Sequence, residues 1–231
     1  MNWFRRLRDA PVTSALIVAN VLVYAIMAAV SRQLWSFDGD TLIAAGASVS
    51  GAGIESSHWR WLTAAFIHAN LLHIAMNLWV LGQIGALSEK ALGRGLMAVT
   101  YLVTGVIGNV LSTLHAAASA GPSASVGASG AIMGLIGMAA VFAWRTGQRR
   151  AAKALAINVV FILGVGLSLS ARGISLVDNA AHIGGLVAGA AIGLARAAFP
   201  RPAPRWLDAT AIAASFALAA LAFAVVRFSG G

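Results

Sequence analysis

The stretch Ser119-Ala120-Gly121-Pro122-Ser123-Ala124-Ser125-Val126-Gly127-Ala128-Ser129-Gly130 carries glycine and proline but no charge, and an apolar run to about residue 144 follows it. Sixteen positions separate Ser129 from Arg145, which as a helix is about 24 Å of rise. A hydrocarbon core is about 30 Å thick. With Arg145 at one boundary of a bilayer, Ser129 therefore starts its helix below the opposite surface. The irregular segment 119–128 has to dip after it. Irregular backbone at such depth is tolerated only where protein buries it or a water-filled cavity receives it.

The rest of the chain has the composition that this reading needs. It is 59% hydrophobic and 10% charged, where a soluble domain carries about a quarter charged residues. Seven stretches are long and apolar enough to span or nearly so: about 12–30, 66–88, 96–115, 129–144, 154–170, 179–198 and 207–228. The expected fold is an all-α membrane protein, a bundle of about seven transmembrane helices in one multi-pass domain over 1–231. A six-helix core covers about 12–198, and an extra C-terminal helix covers about 207–228. No cleavable leader is evident: the first apolar run follows a basic start and is long enough to be retained as a span.

Charge sets the orientation. Of the 16 Lys and Arg residues, 12 fall in segments on one side of the bundle: Arg5, Arg6, Arg8, Lys90, Arg94, Arg145, Arg149, Arg150, Lys153, Arg196, Arg201 and Arg205. Only Arg32, Arg60, Arg172 and Arg227 fall on the other. By the positive-inside rule the N-terminus is cytoplasmic and the C-terminus outside, in a cell membrane. The formal charge of +9 is thus read as topology, with the bilayer and not nucleic acid as its partner. The first outer segment, about 31–65, carries Trp35, Phe37, Trp59 and Trp61 and is expected at the outer interface, where tryptophan concentrates.

Polar side chains inside the spans are costly unless paired or hydrated, so they mark function. Three spans stand out. The second has His68, Asn70, His73 and Asn77; the fourth opens on Gly127-Ala128-Ser129-Gly130; the sixth opens on Asp178-Asn179-Ala180-Ala181-His182. Measured from the inner charges Glu89 and Arg196, His73 lies about 24 Å up and His182 about 21 Å up, at the level of Ser129. A serine attacks a carbonyl when a base takes its proton, and His182 is the base at matching depth. The free N–H groups at the start of the Ser129 helix can stabilise an oxyanion. His73 and Asn77 are four apart, share a face and can donate to the same oxyanion. Gly130 and Gly134 on one helix, and Gly185 and Gly189 on another, are small-xxx-small patches that let helices approach closely. On a continuous helix His68 would point about 140° away from His73, which favours a structural role or a place near the outer loop over a catalytic one.

These residues resemble the motifs of rhomboid intramembrane proteases. Gly127-Ala128-Ser129-Gly130 is similar to the GxSG motif, and Ala181-His182-Ile183-Gly184-Gly185 to the AHxxG motif. His68, His73 and Asn77 resemble the HxxxxHxxxN pattern of the second helix. Trp59-Arg60 resembles the Trp-Arg pair of the first outer loop, and Glu89-Lys90-Ala91-Leu92-Gly93 the inner end of helix two. The resemblance implies a Ser129–His182 dyad, an oxyanion hole from His73, Asn77 and the Ser129 N–H, motif glycines Gly127, Gly130 and Gly185, and a substrate that is itself a transmembrane protein. It departs at Met133 and Ala64, where some members have an aromatic ring and a further histidine; the seventh span makes a six-plus-one form.

Several alternatives stay open on the sequence. His73 and Asn77 can be interhelical hydrogen-bond glue. Asp178, one turn before His182, invites a triad but fits a helix cap better. A small polar-path transporter and a catalytically inactive, client-binding relative are the rival functions. No cysteine occurs, which excludes disulfides, thiolate metal sites and cysteine nucleophiles. No HExxH occurs, and no metal or cofactor is expected. The oligomeric state is not legible.

Overall fold

The structure, a computed structural model, describes residues 3–50, 58–118, 123–172, 177–199, 208, 209 and 213. A short helix α1 (Trp3–Arg8) leads into α2 (Pro11–Ser31). The first outer segment then folds as α3 (Gly39–Ala45), strand β1 (Ser48–Ser50), α4 (Arg60–Thr63) and a 3-10 turn at Ala64–Phe66. Then come α5 (Leu71–Leu92), α6 (Arg94–Ala118), strand β2 (Ser123–Ser125), α7 (Ser129–Arg145), α8 (Arg149–Ser170) and α9 (Asn179–Ala198). Among the described residues, five helices are long and apolar enough to cross a membrane, namely α2, α5, α6, α8 and α9, with α7 a shorter apolar sixth. They correspond to the first six expected spans. The seventh, 207–228, lies outside the described residues except for 208, 209 and 213.

Apolar residues face outward as well as inward, as expected of a bundle in lipid. On α2, Val18, Leu22 and Val30 are exposed, and on α8, Ile157, Val160, Phe161 and Leu167. The centre is α7, buried from Gly130 through Ala139. Leu135 and Met138 of α7 join Leu81 of α5 with Met97 and Tyr101 of α6 in one core. Tyr101 sends its hydroxyl to the Ala65 carbonyl at 3.3 Å and receives the Asn20 amide at 3.2 Å, so this wholly buried phenol has its polar end satisfied.

Helix ends are set by named groups. Pro11 opens α2 at a position where a missing N–H is harmless. The next two N–H groups, of Val12 and Thr13, donate to the Glu89 carboxylate at 3.1 and 2.9 Å, and the Thr13 hydroxyl adds a third bond at 2.9 Å. Glu89 is 5% exposed; an anion at a helix N-terminus is favourable, and three donors offset its burial. The start of α5 differs from expectation. The hydropathy pattern predicts a helix from about 66, but Asn70 caps α5 by accepting the His73 N–H at 2.8 Å. His68 is therefore off the helix, in the extended lead-in, and the expected 140° separation from His73 does not hold: the two rings stand edge to face at 5.1 Å.

The segment between α2 and α5 is built into the protein. Phe37 N–H donates to the Ala69 carbonyl at 2.9 Å and Leu71 N–H to Trp35 at 3.0 Å, which ties the lead-in of α5 to this loop. Phe37 is buried against Tyr24, while Trp35 is exposed. Arg60 stacks its guanidinium 4.6 Å over Trp59 and donates to the carbonyls of Ile43 and Ala47 at 2.6 and 3.2 Å. The Trp-Arg pair is a clasp on the loop. Strands β1 and β2 pair antiparallel, Ser48 opposite Ser125, so part of the segment before Ser129 is regular strand rather than irregular backbone.

Candidate active site

Ser129 is the first residue of α7 and is half-buried. The cap position is Ala128, without a side-chain hydrogen bond, so Ser129 is not spent on capping. The N–H groups of this first turn have no carbonyl partner within the helix. The approach is held from two sides. Gly127 donates its N–H to the Ala64 carbonyl at 2.8 Å, and the Ala128 N–H faces His68 Nε2 at 3.4 Å. Gly127 has φ +122, and a Cβ there would sit 2.7 Å from His73 Nε2 and 3.8 Å from Asn77 Nδ2. Glycine is needed for both the backbone and the space. The same contact places His73 and Asn77 beside the turn that presents Ser129. Asn77 uses one amide hydrogen on the His73 carbonyl at 3.1 Å.

His182 lies in the first turn of α9, 5% exposed. Its helix meets α7 through glycine contacts. A Cβ on Gly130 would lie 3.3 Å from the Ala181 carbonyl oxygen, and one on Gly185 would overlap the Gly130 carbonyl. One turn on, a Cβ on Gly189 would overlap the Gly134 carbonyl. Helices α7 and α9 thus meet backbone to backbone at Gly130, with Ser129 one residue before it on α7 and His182 one residue after Ala181 on α9. His182 is within electrostatic reach of Asp178 and His73. A direct Ser129–His182 hydrogen bond is not among the contacts of the described residues; such bonds are often long without substrate and tighten when it binds.

Asp178 caps α9, accepting the Ala181 N–H at 2.9 Å on Oδ1. Its Oδ2 accepts the Ser112 hydroxyl at 2.5 Å and the Ser125 hydroxyl at 2.6 Å. His182 Nδ1 has no partner among the described residues, so the carboxylate does not hold the ring as a triad acid would. Met133 and Ala64, the two departures from the motif pattern, are both fully buried. His58 and His115 are exposed.

The polar residues that mark a site in the sequence stand on the second, fourth and sixth spans. Yet α6 carries a polar strip beside the site. Asn109 donates to the Trp61 carbonyl at 2.8 Å, Ser112 donates to Asp178, and Thr113 Oγ1 pairs with Ser48 Oγ at 2.9 Å. The signal was present as Thr100, Thr104, Asn109, Ser112 and Thr113 in one apolar run. Among the described residues no cluster of three or more His, Cys, Asp or Glu able to hold a metal ion occurs.

A family model described as the Rhomboid domain matches residues 55–199. The chain is 31% identical to Rhomboid protease GluP of Bacillus subtilis over 70% of its length and 31% of the relative's. It is 32% identical to Rhomboid-like protease 2 of Toxoplasma gondii over 78% of its length and 62% of the relative's. With Rhomboid protease GlpG of Photorhabdus laumondii it shares 30% identity over 82% of its length and 63% of the relative's. The chain thus spans less than two thirds of each of these relatives.

Proposed function

The chain belongs to the rhomboid family, and from that premise we propose that it is an intramembrane serine endopeptidase acting on a peptide bond in or near the transmembrane segment of a membrane protein. Ser129 is the nucleophile and His182 the general base and acid. Ser129 Oγ attacks the scissile carbonyl carbon while His182 takes its proton. The carbonyl oxygen becomes an oxyanion, met by the Ser129 N–H, His73 and Asn77. Collapse breaks the C–N bond, the leaving amine takes the proton from His182, and an acyl-Ser129 remains. Water, deprotonated by His182, adds to that ester and releases the new carboxylate and free Ser129.

The observation that carries this reading is the backbone contact of Gly130 with Ala181 and Gly185. It packs the starts of two helices that separately bear Ser129 and His182. The class of client is a single-span protein, and the N-terminus is cytoplasmic. The test is labelling by a fluorophosphonate probe in detergent and cleavage of a single-span substrate. Wild type should label and cleave; Ser129→Ala should do neither, and His182→Ala should fold but lose cleavage. Cleavage by Ser129→Ala at the wild-type rate would reject the assignment.

A further inference from the structure

We propose that Ser112, Ser125 and Asp178 form a three-point clamp that positions His182 by holding the first turn of α9 against the segment leading into Ser129; this deepens the protease reading above and rests on it. A helix cap needs one carboxylate oxygen, and Oδ1 of Asp178 supplies it to the Ala181 N–H. Oδ2 does something more. It accepts two hydroxyls from two other elements, Ser112 of α6 at 2.5 Å and Ser125 of β2 at 2.6 Å. Both serines are nearly fully buried, at 5% and 6% exposed. Hydrogen bonds to an ionised acceptor in such surroundings are the strong kind.

The connectivity gives the clamp its consequence. Asp178 also accepts the His182 N–H on its main-chain oxygen at 3.0 Å, so it holds the backbone on either side of Ala181. Ser125 stands four residues before Ser129, in the strand paired with β1. Asn109 on α6 lies 3.4 Å from the Ser125 hydroxyl. The approach to the nucleophile and the turn that carries the base are therefore docked on the same strip of α6. Among the described residues His182 Nδ1 has no hydrogen-bond partner, so no side chain among them holds that nitrogen. The ring's placement comes through the backbone that the clamp holds. Asp178, Ser112 and Ser125 are positioning residues: none has to touch the substrate.

The test uses the full chain in detergent with Ser112→Ala, Ser125→Ala, their double variant and Ser125→Thr, which keeps the hydroxyl. Three quantities are read: kcat per Ser129 titrated with the fluorophosphonate, KM for a single-span substrate, and amide hydrogen exchange over residues 181–184. A misplacement of about 1 Å can cost about a hundredfold in rate, so partial release should lower kcat per labelled site on the order of tenfold in the double variant. KM should stay within about twofold. Exchange at 181–184 should quicken, and Ser125→Thr should keep wild-type values. The clamp is overturned if kcat per labelled site in the double variant stays within about twofold of wild type, if only the labelled fraction falls, or if exchange at 181–184 does not change. Should the double variant fail to fold, the single variants are judged by the same criteria. Amide exchange does not depend on proteolysis, so a wild-type chain whose cleavage proved independent of Ser129 would sink the protease reading while exchange still decided the clamp.

Discussion

Gly185→Ala is the sharpest perturbation of the proposed dyad. A methyl at residue 185 would lie 2.8 Å from the carbonyl carbon of Gly130 and 3.3 Å from its Cα, and would overlap its oxygen. Non-bonded carbon atoms rest at about 3.5–4.0 Å, so α7 and α9 must part locally by about 1 Å. Both partners are backbone, so no side chain can swing aside. Ser129 is next to Gly130, and His182 is one turn before Gly185, so the displacement falls on the nucleophile and its base. A misplacement of that size can cost about a hundredfold in rate. Overpacking should also lower stability by about 1–3 kcal/mol. The assay is the rate of fluorophosphonate labelling at Ser129 together with substrate turnover per folded molecule, with a melting curve alongside. Gly164→Ala on α8 is the control, since a Cβ there meets nothing within 4 Å. Labelling of Gly185→Ala within about threefold of the Gly164→Ala rate would refute the argument that this glycine contact sets the Ser129–His182 geometry.

Replacing His73 or Asn77 by Ala should each lower turnover by about a hundredfold with little change in KM; wild-type turnover in the double variant would leave them as interhelical glue. Glu89→Ala should lower the melting temperature, because two helix N–H groups and the Thr13 hydroxyl lose their acceptor, at about 1–3 kcal/mol for each buried group left unsatisfied. Turnover per labelled Ser129 should be unchanged, and a fall in that quantity would mean that the inner end of α5 matters to the chemistry. The chain has no cysteine, so topology can be read without background. Ser36→Cys should react with an impermeant maleimide from outside and Ala151→Cys only after the membrane is opened; ready labelling of Ala151→Cys from outside would invert the orientation.

Much of this protein is legible along the chain. The six helices that match the first six expected spans stand close to where hydropathy predicts them, because the cost of moving apolar side chains from lipid to water accrues locally, residue by residue. The expectation that His73, Ser129 and His182 share a level rests on the same local information: helical rise is fixed, so counting from an inner charge gives depth. The contacts at Gly130, Gly134, Gly185 and Gly189 are legible because small residues at four-residue spacing signal close helix contact.

What hydropathy cannot carry is who answers a polar group. Asp178 announces itself as a cap, but its second oxygen takes hydroxyls 66 and 53 positions away. Glu89 appears to the sequence as an inner-boundary charge; in the fold it closes the start of α2, 76 positions away at Thr13. His68 falls in an apolar run that predicts helix, yet the Asn70 side chain caps a helix that starts only after it and leaves His68 free to meet the Ala128 N–H. The outer loop and the segment before Ser129 are joined by a strand pair of three residues each, too short to leave a period. In each case the partner is brought near by the packing of the helices. A hydrogen bond is decided within about 3 Å of space, whatever the distance along the chain, so these contacts belong to the tertiary structure alone.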